Sequence, residues 1–154
     1  MITLILMFLL QGESPDDLRL ALAQAKVESS YRLTDWHEHA SKPGVFFCGP
    51  WQTVARSRRE CKRMTSSYEY AYQARKREWA LWVSAAKGDV RRALGGYGCG
   101  YFGMRHPHKC GVKGGKSYPT RVLEAAREMF NVEGNREPVT VQRNSVGVGE
   151  AGSR

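Results

Sequence analysis

The chain has 154 residues, 42% of them hydrophobic, and carries +9 at neutral pH, which allows one core and points to one domain. Residues 1–50 sum to −2 (four Lys/Arg against six Asp/Glu), residues 51–132 to +11 (17 against 6), and residues 133–154 balance at three each. A basic field of this kind excludes a preference for cationic partners and favours an anionic polymer, whether nucleic acid, an acidic membrane surface or a cell-wall glycan.

The first ten residues, Met1 to Leu10, are continuously apolar except for Thr3, but a bilayer span needs ~20 such residues. Two readings stay open: the apolar region of an export signal, or a buried first segment of the domain. Against the first, no Lys or Arg precedes the run and no small-x-small site follows in Gln11-Gly-Glu-Ser14. A helix is announced next, with Ser14 as N-cap, Pro15 at its first position and Asp16 and Asp17 complementing its dipole; it is expected to run to Tyr31 or Arg32. Residues 34–54 read as an irregular loop or small hairpin around Val45-Phe-Phe47, with Asp35-Trp-His-Glu-His39 as exposed loop. A basic segment, Arg56 to Arg63, follows.

From Ser67 to Ala86 the pattern is helical, with Tyr68, Tyr72, Trp79, Trp82, Val83 and Ala86 on the inner face and Arg75, Lys76 and Arg77 outside. Trp79 and Trp82 are read as core, whereas Trp36 and Trp51, in loops, are read equally as packing or as sugar-stacking residues. Gly88 ends this helix, and Asp89 caps a short one through Leu94. The run Gly95-Gly-Tyr-Gly-Cys-Gly100 lacks the Lys-Ser/Thr ending of a phosphate loop and reads as a close-approach turn. Residues 101–116 are expected as loop. The last helix starts near Pro119 and buries Val122, Leu123, Ala126, Met129 and Phe130. From Glu133 the composition is too polar to fold alone. The expected division is therefore an apolar segment 1–13, a mainly helical domain 14–131 and a tail 132–154.

Four cysteines fall in two local pairs, Cys48/Cys61 and Cys99/Cys110, readable as bridges in an oxidising compartment or as free thiols elsewhere. Cys99, His106, His108 and Cys110 match no standard zinc spacing, so no metal is expected.

Glu28 is the residue that asks for chemistry. On a helical wheel with Leu18 at the origin it falls at about 280°, opposite Arg19 at about 100°. Its neighbours there are Leu20, Val27 and Tyr31 on one side and Leu18, Ala21, Leu22 and Ala25 on the other. Desolvation raises a carboxyl pKa, which suits a general acid near neutral pH; the alternative is a glutamate that ties the helix end to its neighbours.

Three segments in order, Val27-Glu28-Ser29-Ser30, Gly49-Pro50-Trp51-Gln52 and Ala93-Leu-Gly-Gly-Tyr97-Gly-Cys-Gly100, with Tyr118-Pro-Thr-Arg-Val-Leu123 as a fourth, resemble the soluble lytic transglycosylase family across roughly residues 14 to 130. The resemblance implies an α+β, lysozyme-like fold that is mainly α, with a substrate groove and at most a small hairpin. It implies Glu28 as catalytic acid and then base, and Ser29 as the serine orienting the glutamate or the sugar. Gln52 would line the glycan groove, with Gly49 letting the backbone approach the substrate and Tyr97 placing its hydroxyl near the carboxyl. The chain departs from the pattern at Pro50, where the family has Leu, and at Gly98, where it has Asn.

The mechanism has its own logic. Most glycosidases use two carboxyl groups, and no second carboxylate here sits in a comparably apolar context. One acid suffices when the 6-hydroxyl of the muramic sugar attacks its own anomeric carbon, leaving a 1,6-anhydro end. The expected partner is peptidoglycan glycan, with no nucleic acid, no cofactor and a monomeric protein, located in the periplasm, exported or virion-associated. Two other functions stay open. One is a goose-type lysozyme with water as nucleophile and Asp35 or Glu38 as helper. The other is a basic nucleic-acid-binding module using Arg56–Arg63 and Arg75-Lys-Arg77, charge runs otherwise read as solvated helix faces.

Overall fold

The computed structural model describes residues 12–130. In chain order its elements are α1 (Pro15–Ser29), β1 (Trp36–Glu38), β2 (Phe46–Cys48), β3 (Thr53–Ala55), α2 (Arg58–Met64), α3 (Tyr68–Ala85), α4 (Val90–Arg105) and α5 (Tyr118–Phe130). The described part is thus α+β, dominated by helix, as expected. The readings for residues 1–10 and for the tail from Glu133 lie outside the described residues, as does the side chain of Phe130.

α1 begins as its residues dictate: Ser14 Oγ accepts from the Asp17 N–H at 3.1 Å, with Pro15 in the first turn. It ends at Ser29, short of the expected Tyr31 or Arg32, because Ser30 and Tyr31 take left-handed φ values of 54° and 66°. The Tyr31 N–H closes on the Ala25 carbonyl at 3.1 Å, capping the last turn. Non-glycine residues keep that conformation only when their surroundings hold it. Here Ser29 Oγ donates to the Pro50 carbonyl and the Tyr68 hydroxyl donates to the Tyr31 carbonyl, both at 2.9 Å.

Leu18, Leu20, Ala21, Leu22, Ala23, Gln24 and Ala25 are all buried, so α1 is the central helix. One flank meets Phe46, Trp51, Met64 and Tyr72; the other meets Trp79, Leu94, Met104 and Val122. Each such large apolar side chain contributes about 1.5–3 kcal/mol on burial.

Residues 34–54, expected as irregular loop or small hairpin, enter a three-stranded antiparallel sheet in the order β1-β2-β3, one strand more than the hairpin allowed, with Trp36 opposite Cys48 and Phe47 opposite Val54. Of Asp35–His39, expected as exposed loop, Trp36–Glu38 are exposed but pair as β1, and Asp35 and His39 are half-buried. Strands of three residues carry too little alternation to be read from sequence. The basic segment forms α2, with Cys61 and Met64 inward and Arg58, Arg59, Lys62 and Arg63 outward.

Arg75 corrects an expectation: it is 1% exposed, not on the outer face of α3. The end of the third expected helix, Asp89 through Leu94, is corrected too, and with it the start of the loop expected at 101–116. α4 runs on to Arg105, across a break at Cys99 (φ −142°) and Gly100 (φ 63°). The glycines do serve close approach, but within helix: a Cβ at Gly95 would lie 2.2 Å from the Gly103 carbonyl oxygen. α5 buries Val122, Ala125 and Ala126, with Leu123 and Met129 partly covered.

Disulfides join Cys48 to Cys61 and Cys99 to Cys110, stapling β2 to α2 and the α4 break to the segment before α5. In the chain-entropy picture each closure contributes about 3 kcal/mol. They are compatible with an extracellular or otherwise oxidising compartment. Among the described residues no helix is long and apolar enough to cross a membrane.

Candidate functional site

Glu28 lies in the last turn of the central helix, part-exposed at one edge. Burial of its carboxyl pushes the pKa up to about 7, and the charge of Glu78 adds to the rise. The Tyr118 hydroxyl and the Arg121 guanidinium, both on α5, pull it down. The hydroxyl faces Glu28 yet makes no hydrogen bond of 3.5 Å or shorter among the described residues. A carboxyl half-protonated near neutrality can give a proton and take it back.

Beside Glu28 lies a hollow of about 710 Å³, walled by the sheet (Phe47, Val54), by α3 (Glu78, Trp82) and by α4 (Tyr97, Gly98). A second hollow of about 490 Å³ shares Val54, Arg56, Glu78 and Trp82 with it. The two adjoin across these four residues as one groove. Glu28 does not line either hollow; it sits next to the wall, close enough to Glu78 and Tyr97 to couple electrostatically with both.

Tyr97 forms part of that wall. Its hydroxyl donates to the Trp51 carbonyl at 2.9 Å and shares a hydrogen bond with Thr53 Oγ1 at 3.1 Å, tying α4 to the turn before β3. Burial and the charges of Glu78 and Glu28 hold its phenol well above the usual range.

The structure uses the other expected site residues as braces. Ser29 is buried, and its hydroxyl goes to the Pro50 and Ala25 carbonyls, at 2.9 and 3.4 Å. Gly49, at φ 73°, brings its backbone against Met64, where a Cβ would stand 3.1 Å from the carbonyl oxygen. The close approach is therefore to α2, and Gly49 is buried away from the groove. Gln52 spends its amide nitrogen on the Gly49 and Asp35 carbonyls, at 2.9 and 3.4 Å. Trp51 is packing: it is fully buried, and its indole N–H donates to the Ala21 carbonyl at 2.7 Å. Trp36 stays exposed on β1, and Trp82, expected in the core, is a wall of the groove.

Gly98 now has a steric reason. A Cβ there would lie 2.6 Å from the Tyr118 ring, so an asparagine and Tyr118 in this position exclude each other.

Sequence reasoning missed Glu78. The expectation that no second carboxylate shares an apolar setting is corrected, because burial raises the Glu78 pKa as well. Its Oε2 accepts from the Val54 N–H at 3.1 Å, and the Trp82 side chain also hydrogen-bonds it. Three basic residues, Arg75-Lys-Arg77, precede it and mask it locally; the available signal is Trp82 four residues on, on the same helix face. Asp35 pairs with Arg32 at 3.1 Å and Glu38 accepts from the Gly44 N–H at 2.8 Å, and neither residue lines the groove. Cys99 and Cys110 are bonded to each other, so the zinc set weighed from the sequence loses both thiolates. No family model matches the chain, and no curated protein and no solved structure matches it.

Proposed function

We propose that the chain is a peptidoglycan lytic transglycosylase with a lysozyme-like fold, and that Glu28 is its acid and base. The observation that carries this reading is a carboxyl held near neutrality by burial at a helix end, beside a groove of about 710 Å³. The resemblance in the segments around Glu28, Gln52 and Tyr97 supports it, as does the basic middle of the chain, suited to an anionic wall.

In the proposed reaction Glu28 protonates the glycosidic oxygen between the muramic sugar and the next glucosamine, and the C1–O bond breaks. The N-acetyl oxygen of the muramic sugar supports C1 as the leaving group departs. The sugar's own 6-hydroxyl then bonds to C1 and gives its proton to the Glu28 carboxylate, restoring the acid and leaving a 1,6-anhydro end. The test is wall digestion: the native chain releases anhydro-muropeptides, Glu28→Gln releases none, and a fully active Gln variant rejects the assignment.

A second reading is favoured by one observation, the carboxyl of Glu78 in the groove wall. With two carboxyl groups on the groove, hydrolysis of the lysozyme type becomes available, with Glu78 and not Asp35 or Glu38 as the partner. Product mass separates the two, since an anhydro end is lighter by one water and a hydrolysed end takes oxygen from solvent.

A further inference from the structure

Gln24 and Glu28 stand four residues apart on one stripe of α1, and a chain of buried polar groups leads to them from α3 and α5. Gln24 is fully buried, Arg75 is 1% exposed and Tyr118 is 4% exposed. Arg75 donates from Nε and Nη2 to Gln24 Oε1, at 3.0 and 2.6 Å. A guanidinium has donors only, so these two bonds fix the amide: its oxygen faces Arg75 and its NH2 faces the opposite way. That NH2 and the Tyr118 hydroxyl are both buried with no hydrogen-bond partner within 3.5 Å among the described residues. Gln24 and Glu28 are the side chains that the Tyr118 hydroxyl faces.

We propose that Gln24 and Tyr118 are positioning residues for Glu28. Arg75 locks the Gln24 amide so that its NH2 is the donor presented to the Tyr118 oxygen; when Glu28 ionises and the three draw to bonding distance, the hydroxyl proton has one acceptor, the Glu28 carboxylate. The order of donors runs one way, from the buried cation to Glu28, so the chain assists the carboxylate after its proton has gone. The charged and titratable groups facing Glu28 are Tyr118 and Arg121 of α5 and Glu78 of α3, with Tyr97 of α4 within electrostatic reach. Of these, Tyr118 and Arg121 favour the anion, and only the contribution of Tyr118 is removed by deleting one atom. Orphaned buried polar groups are costly, and a role at the reacting carboxyl accounts for two of them together. The consequence for rate rests on the transglycosylase reading; the positioning itself does not.

The test is a carboxyl-carbon NMR titration of the full chain, with the Glu28 signal identified by its loss in Glu28→Gln. In Tyr118→Phe the Glu28 midpoint rises by about half a pH unit or more, while the backbone amide spectrum stays native. Gln24→Met moves the midpoint the same way in the native background and adds nothing to Tyr118→Phe. An unmoved midpoint in folded Tyr118→Phe overturns the proposal, and that variant decides alone if Gln24→Met does not fold. Wall digestion run alongside separates the two claims. If Glu28→Gln stays active while Tyr118→Phe still moves the midpoint, the enzymatic reading falls and the positioning stands. If both hold, the alkaline limb of the activity profile rises with the midpoint.

Discussion

The turn between β2 and β3 and the polar cluster that α1, α3 and α5 build around Glu28 meet at the end of α1, and they treat their polar groups in opposite ways. At the turn, Trp51 and Gln52, and Ser29 of α1 facing them, each give their side-chain donor to a backbone carbonyl, at 2.7, 2.9 and 2.9 Å, and the adjoining Cys48 is bridged to Cys61. Across the helix, Gln24 and Tyr118 keep buried polar atoms without close partners, and Glu28 and Glu78 have raised pKa values. Satisfied groups hold a shape; unsatisfied ones are where a ligand or a proton has something to gain. The first region is scaffold and the second is the candidate site.

The largest effect should come from the site side. Glu28→Gln is expected to lower glycan cleavage by at least ~100-fold, the ordinary worth of a general acid–base group, with the circular dichroism spectrum unchanged. On the scaffold side, Trp51→Ala is expected to cost about 3–5 kcal/mol of stability, because a large buried side chain is lost. Denaturant unfolding measures it. A Trp51→Ala protein that stayed stable while losing activity would reverse the assignment of the two regions.

Much of this was legible in the sequence, and the division follows the range of the interactions. The caps of α1, the helical stripe of α3 and the misplaced carboxylate of Glu28 depend on neighbours within one or two turns, which periodicity reports. Arg75 was placed on the surface because its partner, Gln24, lies 51 residues away. Glu78, and any role for Tyr118 beyond its place in the fourth segment, are hidden in the sequence for the same reason: what makes them matter is an assembly of the sheet, α3, α4 and α5. In the sequence Gly98 is only a departure from the family pattern; its reason, the Tyr118 ring in the space an asparagine would need, lies 20 residues further along the chain.

That steric relation gives the next prediction. Gly98→Asn should cost about 1–3 kcal/mol through overpacking against Tyr118, and Tyr118→Ala in the same chain should recover part of it, read as the midpoint of thermal unfolding. Glu28 also leaves a signature on stability. Its folded pKa, about 7, lies above the ordinary 4.5, so the folded chain holds a proton that the unfolded chain has released between those values. Stability therefore falls as pH rises from about 4.5 to 7 and stays lowered above, by roughly 1–3 kcal/mol. Glu28→Gln removes this loss: it should melt higher than the native chain at pH 8.5 and no higher at pH 4, the reverse of what a salt-bridged surface glutamate would show.

The smallest effect probes the scaffold where the comparison is closest to failing. Gln52 holds a left-handed φ of 47° and braces the Gly49 and Asp35 carbonyls, yet both carbonyls also accept backbone N–H groups, from Gln52 and Gly49, at 3.1 and 2.8 Å. Gln52→Ala thus strands no buried acceptor, and the expected loss is about 1 kcal/mol. If Gln52 is only a brace, KM for glycan strands should change by less than about threefold, well under the 1.4 kcal/mol that a factor of ten represents. A tenfold rise in KM with stability nearly unchanged would mean that its amide leaves the Asp35 carbonyl, the longer of its two bonds at 3.4 Å, to meet the sugar. The turn would then belong to the site as well as to its scaffold.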